Sequence, residues 1–383
     1  MSQTLTEIAQ QLKAANKKVQ LIYAFNGTGK TRLSREFKQR LAPKPDNEDD
    51  DMYEPAAPAL RKMLYYNAFT EDLFYWDNDL ALDAEPRLRI QPNAFTDWLL
   101  TLLKDLGQDG NIVSYFQHYA SDRLTPRFSE DFSEVAFSLE HGDDDSASHL
   151  KISKGEESNF IWSVFYTLLD QIVSTLNVAE VEDRETREFD QLEYIFIDDP
   201  VSSLDDNHLI ELAVNLAALI KSSTSALRFV ITTHSALFYN VLHNELGLTK
   251  KGKKEGCYLL NRLEDGTFEL SVKYGDSNQS FSYHLHLRQA IEQAIETDQV
   301  QRYHFTLLRN LYEKTASFLG YPQWSGLLPD DRQTYLNRII QFTSHSTLSS
   351  ETVTEPTPQE KQTVRFLLDH LIDNYGYWRQ EEV

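Results

Sequence analysis

A chain of 383 residues with 41% apolar side chains is long enough to bury a large core, as one domain with insertions or as two domains. Its net charge of −22 excludes a protein that coats nucleic acid or membranes through a generally basic surface, while leaving room for a local basic patch. The lone cysteine, Cys257, excludes an internal disulfide framework and any cysteine-cluster metal site. With no leader-like start and no apolar run of transmembrane length, a soluble cytoplasmic protein with no membrane contact is expected.

Much of the negative charge sits in short runs, Asp46 to Asp51 and Asp143-Asp144-Asp145, which read as solvated loops. In chain order, the spacing of Leu5, Ile8, Ala9, Leu12 and Ala15 predicts a helix over 4–16. Val19 to Tyr23 predicts a strand, and Arg32 opens a second helix that ends near Leu41. Between them stands Ala24-Phe25-Asn26-Gly27-Thr28-Gly29-Lys30-Thr31, a phosphate-binding P-loop in its required strand-loop-helix context. Asn26, Gly27, Thr28 and Gly29 place backbone N–H groups around phosphate oxygens, Lys30 brings a point charge to the β- and γ-phosphates, and the Thr31 hydroxyl is a Mg²⁺ ligand. Ala24 stands where the motif's first glycine usually stands, and a methyl is the smallest possible intrusion.

Further along, Met63 to Asn67 predicts a strand, Ala94 to Leu106 an amphipathic helix and Val135 to Glu140 another strand. Ile152-Ser153-Lys154-Gly155-Glu156-Glu157 precedes an apolar-periodic helix from Phe160 to Leu176, so serine and glycine lie at a helix N-terminus that can face an anion. The same residues also suit an ordinary helix cap. Tyr194 to Ile197 is a buried-strand run ending in Asp198-Asp199 and followed by the Ser-x-Leu-Asp loop that closes on Asp205. Asp198 is expected to approach the Mg²⁺ and Asp199 to face the attacking water. A helix over about 209–221 leads to a further strand run, Phe229 to Thr233, with His234 at its end in reach of a γ-phosphate.

The order of P-loop, serine-glycine signature, aspartate-ended strand, loop and strand-end histidine over roughly 18–240 resembles ABC-type ATPases. That resemblance implies a head-to-tail dimer in which each nucleotide lies between one chain's P-loop and the other chain's Ser153, Gly155 and Glu156, with Asp205 nearby. The chain departs from the family pattern where the usual Leu-Ser-Gly-Gly-Gln is Ile152 to Glu156 and where Asp199 replaces a glutamate. An aspartate is one methylene shorter, which suits slow hydrolysis in a switch. No glutamine loop is identifiable between Asn47 and Pro126, and a charged stretch from Val178 to Gln191 lengthens the signature-to-strand interval.

From about Ser280 the pattern turns helical, with amphipathic segments at Leu287 to Ile295 and Phe305 to Leu319. Arg309 and Glu313 share one face of the second, and His345 follows. Arginine, glutamate and histidine are the groups that metal-free RNA cleavage needs: a base for the 2′-hydroxyl, an acid for the 5′-oxygen and a planar cation for the phosphorane charge. The spacing is equally that of a helix ion pair, as at Arg288 and Glu292. For RNA contacts, Lys250, Lys251, Lys253 and Lys254 form a basic turn, and Tyr283, His284 and His286 are candidate stacking groups, both with bland readings as solvated loop and helix packing.

The run Thr4 to Leu12, the segment Val19 to Lys38 and the interval Arg309…Glu313…His345 together resemble PrrC-type bacterial anticodon nucleases. The resemblance implies an ABC-type P-loop NTPase of α/β class over 1–275, with insertions at about 43–150 and 178–191, and a mainly helical ribonuclease domain over 276–383. It implies an Arg309, Glu313, His345 catalytic triad that cuts tRNA-Lys beside the wobble base without metal, leaving a 2′,3′-cyclic phosphate and a 5′-hydroxyl. It also implies control by ATP or GTP with Mg²⁺, a homodimer or dimer of dimers, silencing by a type I restriction-modification complex, and a role in abortive defence against phage. Two alternatives stay open: an ABC-type ATPase sensor or scaffold that controls a separate effector, and a DNA-repair ATPase with coiled-coil arms, for which the chain lacks sustained heptads.

Overall fold

A computed structural model describes residues 2–41, 62–77, 86–120, 122–139, 150–200, 206–248, 256–263, 265–273, 283–329, 331, 333–337, 339 and 356–377. The chain divides into two compact units, Met1–Asp276 and Ser277–Val383.

In the first unit, helix α1 (Leu5–Ala14) starts at Thr4, whose hydroxyl accepts from the Glu7 N–H while Glu7 reaches back to the Thr4 N–H at 2.7 Å. The chain then forms β1 (Val19–Tyr23), α2 (Lys30–Leu41), β2 (Met63–Asn67), β3 (Phe74–Asp77), β4 (Arg87–Ile90), α3 (Ala94–Asp105), α4 (Asp109–Tyr119), β5 (Leu124–Phe128), β6 (Glu134–Leu139) and α5 (Lys154–Asn177). After these come β7 (Tyr194–Asp198), α6 (Asp206–Ser222), β8 (Arg228–Thr233), α7 (Ala236–Glu245), β9 (Cys257–Arg262) and β10 (Phe268–Val272). The second unit holds α8 (Tyr283–Glu296), α9 (Arg302–Leu319) and α10 (Pro358–Asn374).

Six strands form the main sheet in the order β10-β9-β1-β8-β7-β2, parallel except where β10 runs against β9. Strands covered on both faces by helices read as continuous apolar runs, which is why β7 is buried at every residue. The core between this sheet and α1 and α2 includes Leu12, Leu33, Phe37, Phe196 and Val230. Phe37 meets Tyr194 edge to face at 5.0 Å between ring centroids. A second, antiparallel sheet, β3-β4-β6-β5, lies within the expected 43–150 insertion. Its Phe137 packs with Phe116 of α4 and Phe160 of α5, at 5.7 and 5.1 Å. The stretch after α5, from Val178 to Gln191, holds a short 3₁₀ turn at Val181–Asp183.

The registers position the site. Tyr23 pairs with Thr233, Asp198 with Thr232, and Asn67 with Asp198, so the C-terminal ends of β1, β8, β7 and β2 come out side by side at one edge. In an open parallel sheet that edge is where ligands bind. The second unit is built around its own core, with Leu308, Leu311 and Tyr312 of α9 against Val364, Leu367 and Leu371 of α10.

Candidate nucleotide site and candidate cleavage pair

The P-loop turns at Gly27 and Gly29, with φ of +80° and +96°. A side chain at Gly29 would also meet the Phe268 ring at 3.3 Å, whereas one at Gly27 would meet open space. Ala24, where the motif departs, is fully buried in the core beside Ile22, and its N–H donates to the Thr233 carbonyl at 2.9 Å. The methyl therefore replaces nothing a phosphate would occupy.

Lys30 begins α2 and its ammonium is gathered into the loop. It donates to Ala24 O at 3.2 Å and Asn26 Oδ1 at 3.1 Å, and it lies 3.4 Å from Asp199 Oδ2. Thr31 Oγ1 donates to Asp198 Oδ2 at 2.8 Å, Thr232 Oγ1 to Asp198 Oδ1 at 2.5 Å, and the Tyr65 hydroxyl to Asp198 Oδ2 at 3.2 Å. Burial raises the Asp198 carboxyl above its ordinary value, against the pull of the Thr232 and Thr31 hydrogen bonds. Burial and the Asp198 charge likewise push the Tyr65 phenol up to about 12.

Asp199 behaves oppositely. Burial lifts its carboxyl, but the hydrogen bond from His234 and the charges of Lys30 and His234 outweigh that and hold it below its ordinary value. His234 Nδ1 lies 2.7 and 2.6 Å from the two Asp199 oxygens. A carboxylate only accepts, so Nδ1 carries a proton and Nε2 is the ring nitrogen left for a ligand. Asp199 adopts φ +54°, a backbone state in which aspartate is better tolerated than branched residues.

This donor set fits a Mg²⁺-nucleotide: a hydroxyl and a buried carboxylate on adjacent elements are hard oxygen ligands for a cation that keeps several waters and bonds to phosphates. Thr31 and Asp198 would hold the metal. Among the described residues, no group of three or more His, Cys, Asp or Glu that could hold a metal ion occurs.

Sequence reasoning found no glutamine loop. The structure places Asn67 at the end of β2 opposite Asp198, with its Nδ2 donating to the Tyr65 hydroxyl at 2.9 Å. Asn67 and Tyr65 thus join the cluster around Asp198. The signal was present, since Asn67 closes the predicted strand from Met63.

Ser153 is the N-cap of α5: its hydroxyl accepts from the Glu156 N–H at 3.3 Å, and Glu156 accepts from the Ser153 N–H at 2.7 Å. A side chain at Gly155 would meet only open space. Among the described residues no hydrogen bond or ion pair links Ser153, Gly155 or Glu156 to Lys30, Thr31, Asp198 or Asp199. Asp205, like the loop from 201, lies outside the described residues, as does the 250–254 lysine turn.

In the second unit, Arg309 Nε donates to Glu313 Oε1 at 2.8 Å on a partly exposed face of α9. The guanidinium also sits 5.9 Å from the centre of the Trp324 ring. The parallel pair Arg288 and Glu292, at 2.7 Å, is less exposed on its arginine side. His345 lies outside the described residues, as do the side chains of Tyr283, His284 and His286.

A family model described as an AAA domain matches residues 130–371. A protein of Escherichia coli called anticodon nuclease is 67% identical over 399 aligned residues, covering 100% of this chain and 99% of that one. Among solved structures, the SMC head bound to the C-terminal winged-helix domain of ScpA covers 69% of this chain and 92% of its own, at 12% identity and a TM-score of 0.33. The SMC head domain from Thermotoga maritima covers 67% and 90%, at 11% identity and a TM-score of 0.27. Both structural likenesses are too distant to carry a conclusion.

Proposed function

Because the chain belongs to the anticodon nuclease family and carries an AAA domain, we propose that it is a nucleotide-controlled endoribonuclease that cuts tRNA in the anticodon loop. Full-length identity of 67% to the Escherichia coli protein of that name is the observation that carries this reading. We assign the nucleotide module to residues 1–275 and the nuclease to 276–383.

In the nuclease unit the Arg309 and Glu313 pair supplies two of the three groups that cleavage requires. Glu313 shares the base and acid roles with His345, taking the proton of the 2′-hydroxyl or returning one to the 5′-oxygen, while Arg309 holds the charge of the phosphorane. Cleavage by these groups needs no metal and leaves a 2′,3′-cyclic phosphate and a 5′-hydroxyl. The ion pair, partly exposed, presents both side chains to a ligand.

In the nucleotide module Lys30 leaves Asp199 to bind phosphate, Thr31 and Asp198 hold the metal, and Asp199 with His234 orients water. A bound Mg²⁺ neutralises phosphate charge there. ATP and GTP both fit this chemistry, because no base-contacting residue enters it. The assembly proposed is a homodimer or dimer of dimers, with one chain's Ser153, Gly155 and Glu156 at the other chain's nucleotide. The substrate proposed is tRNA-Lys cut beside the wobble base, the silencing partner a type I restriction-modification complex, and the role abortive defence against phage in the cytoplasm. No helix among the described residues is long and apolar enough to cross a membrane.

The test is to incubate the protein with total bacterial tRNA without added metal and sequence the fragments with their end groups. One cut in one anticodon loop with a cyclic phosphate is expected, and intact tRNA under conditions that support nucleotide hydrolysis would refute the nuclease.

A further inference from the structure

The second unit carries a row of aromatic side chains that the cleavage chemistry leaves unused. Helix α10 buries Val364, Leu367, Leu368, Leu371 and Ile372 on one face, which accounts for its place in the core. Phe366 lies on the other side and is 47% exposed. Its ring stacks with Tyr335 at 5.6 Å and 30°, and with His370, one turn further, at 6.4 Å and 26°. The row continues from His370 to Tyr375 at 6.1 Å and from Tyr375 to Tyr321 at 6.3 Å.

We propose that this row is a stacking platform for unpaired nucleobases of the RNA substrate, a reading that rests on the nuclease assignment above. Three observations select that occupant. First, the turn after α9 joins the row to the candidate cleavage pair: Tyr321 touches Tyr375, and Trp324, three residues on, lies beneath Arg309. An RNA strand held at Arg309 has neighbouring nucleotides in reach of the row.

Second, the groups around the rings are polar and charged, of both signs. Asp369, Asp373 and Arg365 are exposed on α10 beside Phe366 and His370, as are Gln362 and Asn374. The Arg365 guanidinium is a group here that can meet a backbone phosphate, and Phe318 and Leu319, shortly before Tyr321, are also exposed. Bases splayed from a single-stranded loop meet such a surface by their faces.

Third, the row has an unsatisfied polar edge. Asn374 Nδ2 lies 3.1 Å from His370 Nδ1, which accepts, so the ring proton of a neutral His370 is on Nε2. That nitrogen is buried without a hydrogen-bond partner. A base that presents its edge to the edge of this ring brings carbonyl and ring-nitrogen acceptors to it.

The experiment measures binding of the full-length protein, made cleavage-defective by Glu313→Gln, to a hairpin RNA with an unpaired loop and to the same hairpin with abasic loop nucleotides. Phe366→Leu keeps an apolar side chain and removes the ring, while Phe366→Tyr keeps the ring. The leucine variant is expected to bind the intact loop about 5- to 100-fold more weakly, the loss of one base stack, and the tyrosine variant within about twofold of its parent. On the abasic hairpin the leucine and parent proteins are expected to bind alike. Equal binding of the intact loop by the leucine variant, or an equal loss on both hairpins, overturns the platform. Loss of self-association in the leucine variant, with RNA binding unchanged, overturns it in favour of a second copy of the chain. Cleavage that survives Arg309→Ala while Phe366→Leu weakens loop binding would overturn the assigned catalytic pair and leave the platform standing. Absence of RNA binding by the parent protein overturns both.

Discussion

Asp198→Asn separates a ligand-holding carboxylate from a structural one. Asp198 is 2% exposed and is bonded by three hydroxyls, on Thr31, Thr232 and Tyr65. Hydroxyls both donate and accept, so those facing the new amide rotate, at a cost of about 1 kcal/mol. Against this, burial disfavours the charged form of Asp198. The folded chain keeps its proton to higher pH than the unfolded one, so stability falls as pH rises through that window, and the penalty applies where Asp198 is ionised. Burial of an ion costs several kcal/mol by order of magnitude and is only partly offset by the hydroxyls, so a net gain of about 1 kcal/mol is expected on its removal. For a unit of this size that raises the nucleotide-free Tm by about 2–4 °C. Mg²⁺-nucleotide at about 100 times its Kd stabilises the parent by about 2.7 kcal/mol, an upshift of about 5–10 °C, and the variant should show little of it. Thermal melts with and without Mg²⁺-ATP and Mg²⁺-GTP measure both quantities. A variant that melts well below the parent without nucleotide, or one that keeps the full upshift, would refute the assignment of Asp198 to the metal.

Other outcomes follow from the same geometry. His234→Ala removes the hydrogen bond that helps hold the Asp199 carboxyl low; a depressed carboxyl stabilises the fold above its unfolded value and loses that effect as pH falls through the folded one, so the variant should begin acid unfolding at higher pH by circular dichroism. Gly29→Ala places a side chain at φ +96° against Phe268 and should abolish nucleotide binding in calorimetry, and unchanged affinity would show that the loop has room to shift. Phe37→Ala, fully buried against Tyr194 and Phe196, should cost about 3–5 kcal/mol in urea unfolding. His345→Ala should eliminate tRNA cleavage while nucleotide hydrolysis continues, and persistent cleavage would remove the histidine from the nuclease.

What could be read from the residues alone was decided by how far apart the interacting parts lie. Strands β1, β7 and β8 announce themselves because burial on both faces leaves an unbroken apolar run, and the P-loop adds a fixed spacing of its own. The strands β3, β4 and β5 were less legible: β3 is aromatic except for Asp77, β5 has Pro126 inside it, and β4, although Arg87, Leu88, Arg89 and Ile90 alternate, is at the lower limit of length for a period to show. β9 and β10 flank a turn at Gly266, and α10 opens with Thr357, Pro358 and Glu360, a capping box, so both carry local signals in their residues. Asn67 escaped for a different reason. Its partner Asp198 is remote in sequence, and only the parallel register of β2 with β7 shows that the two side chains share a site.

The pairing of β1 sets a timetable for synthesis. Both its neighbours in the sheet, β8 and β9, follow more than two hundred residues later, so the P-loop strand leaves the ribosome long before it has anything to bond with. The nucleotide-binding half closes only once the chain has been made through Cys257–Arg262, and α8, α9 and α10 emerge after that. Residues 309 and 313 therefore leave the ribosome behind a first unit that is already able to fold. For an enzyme proposed to destroy the tRNA its own translation consumes, this order puts the brake in place before the blade.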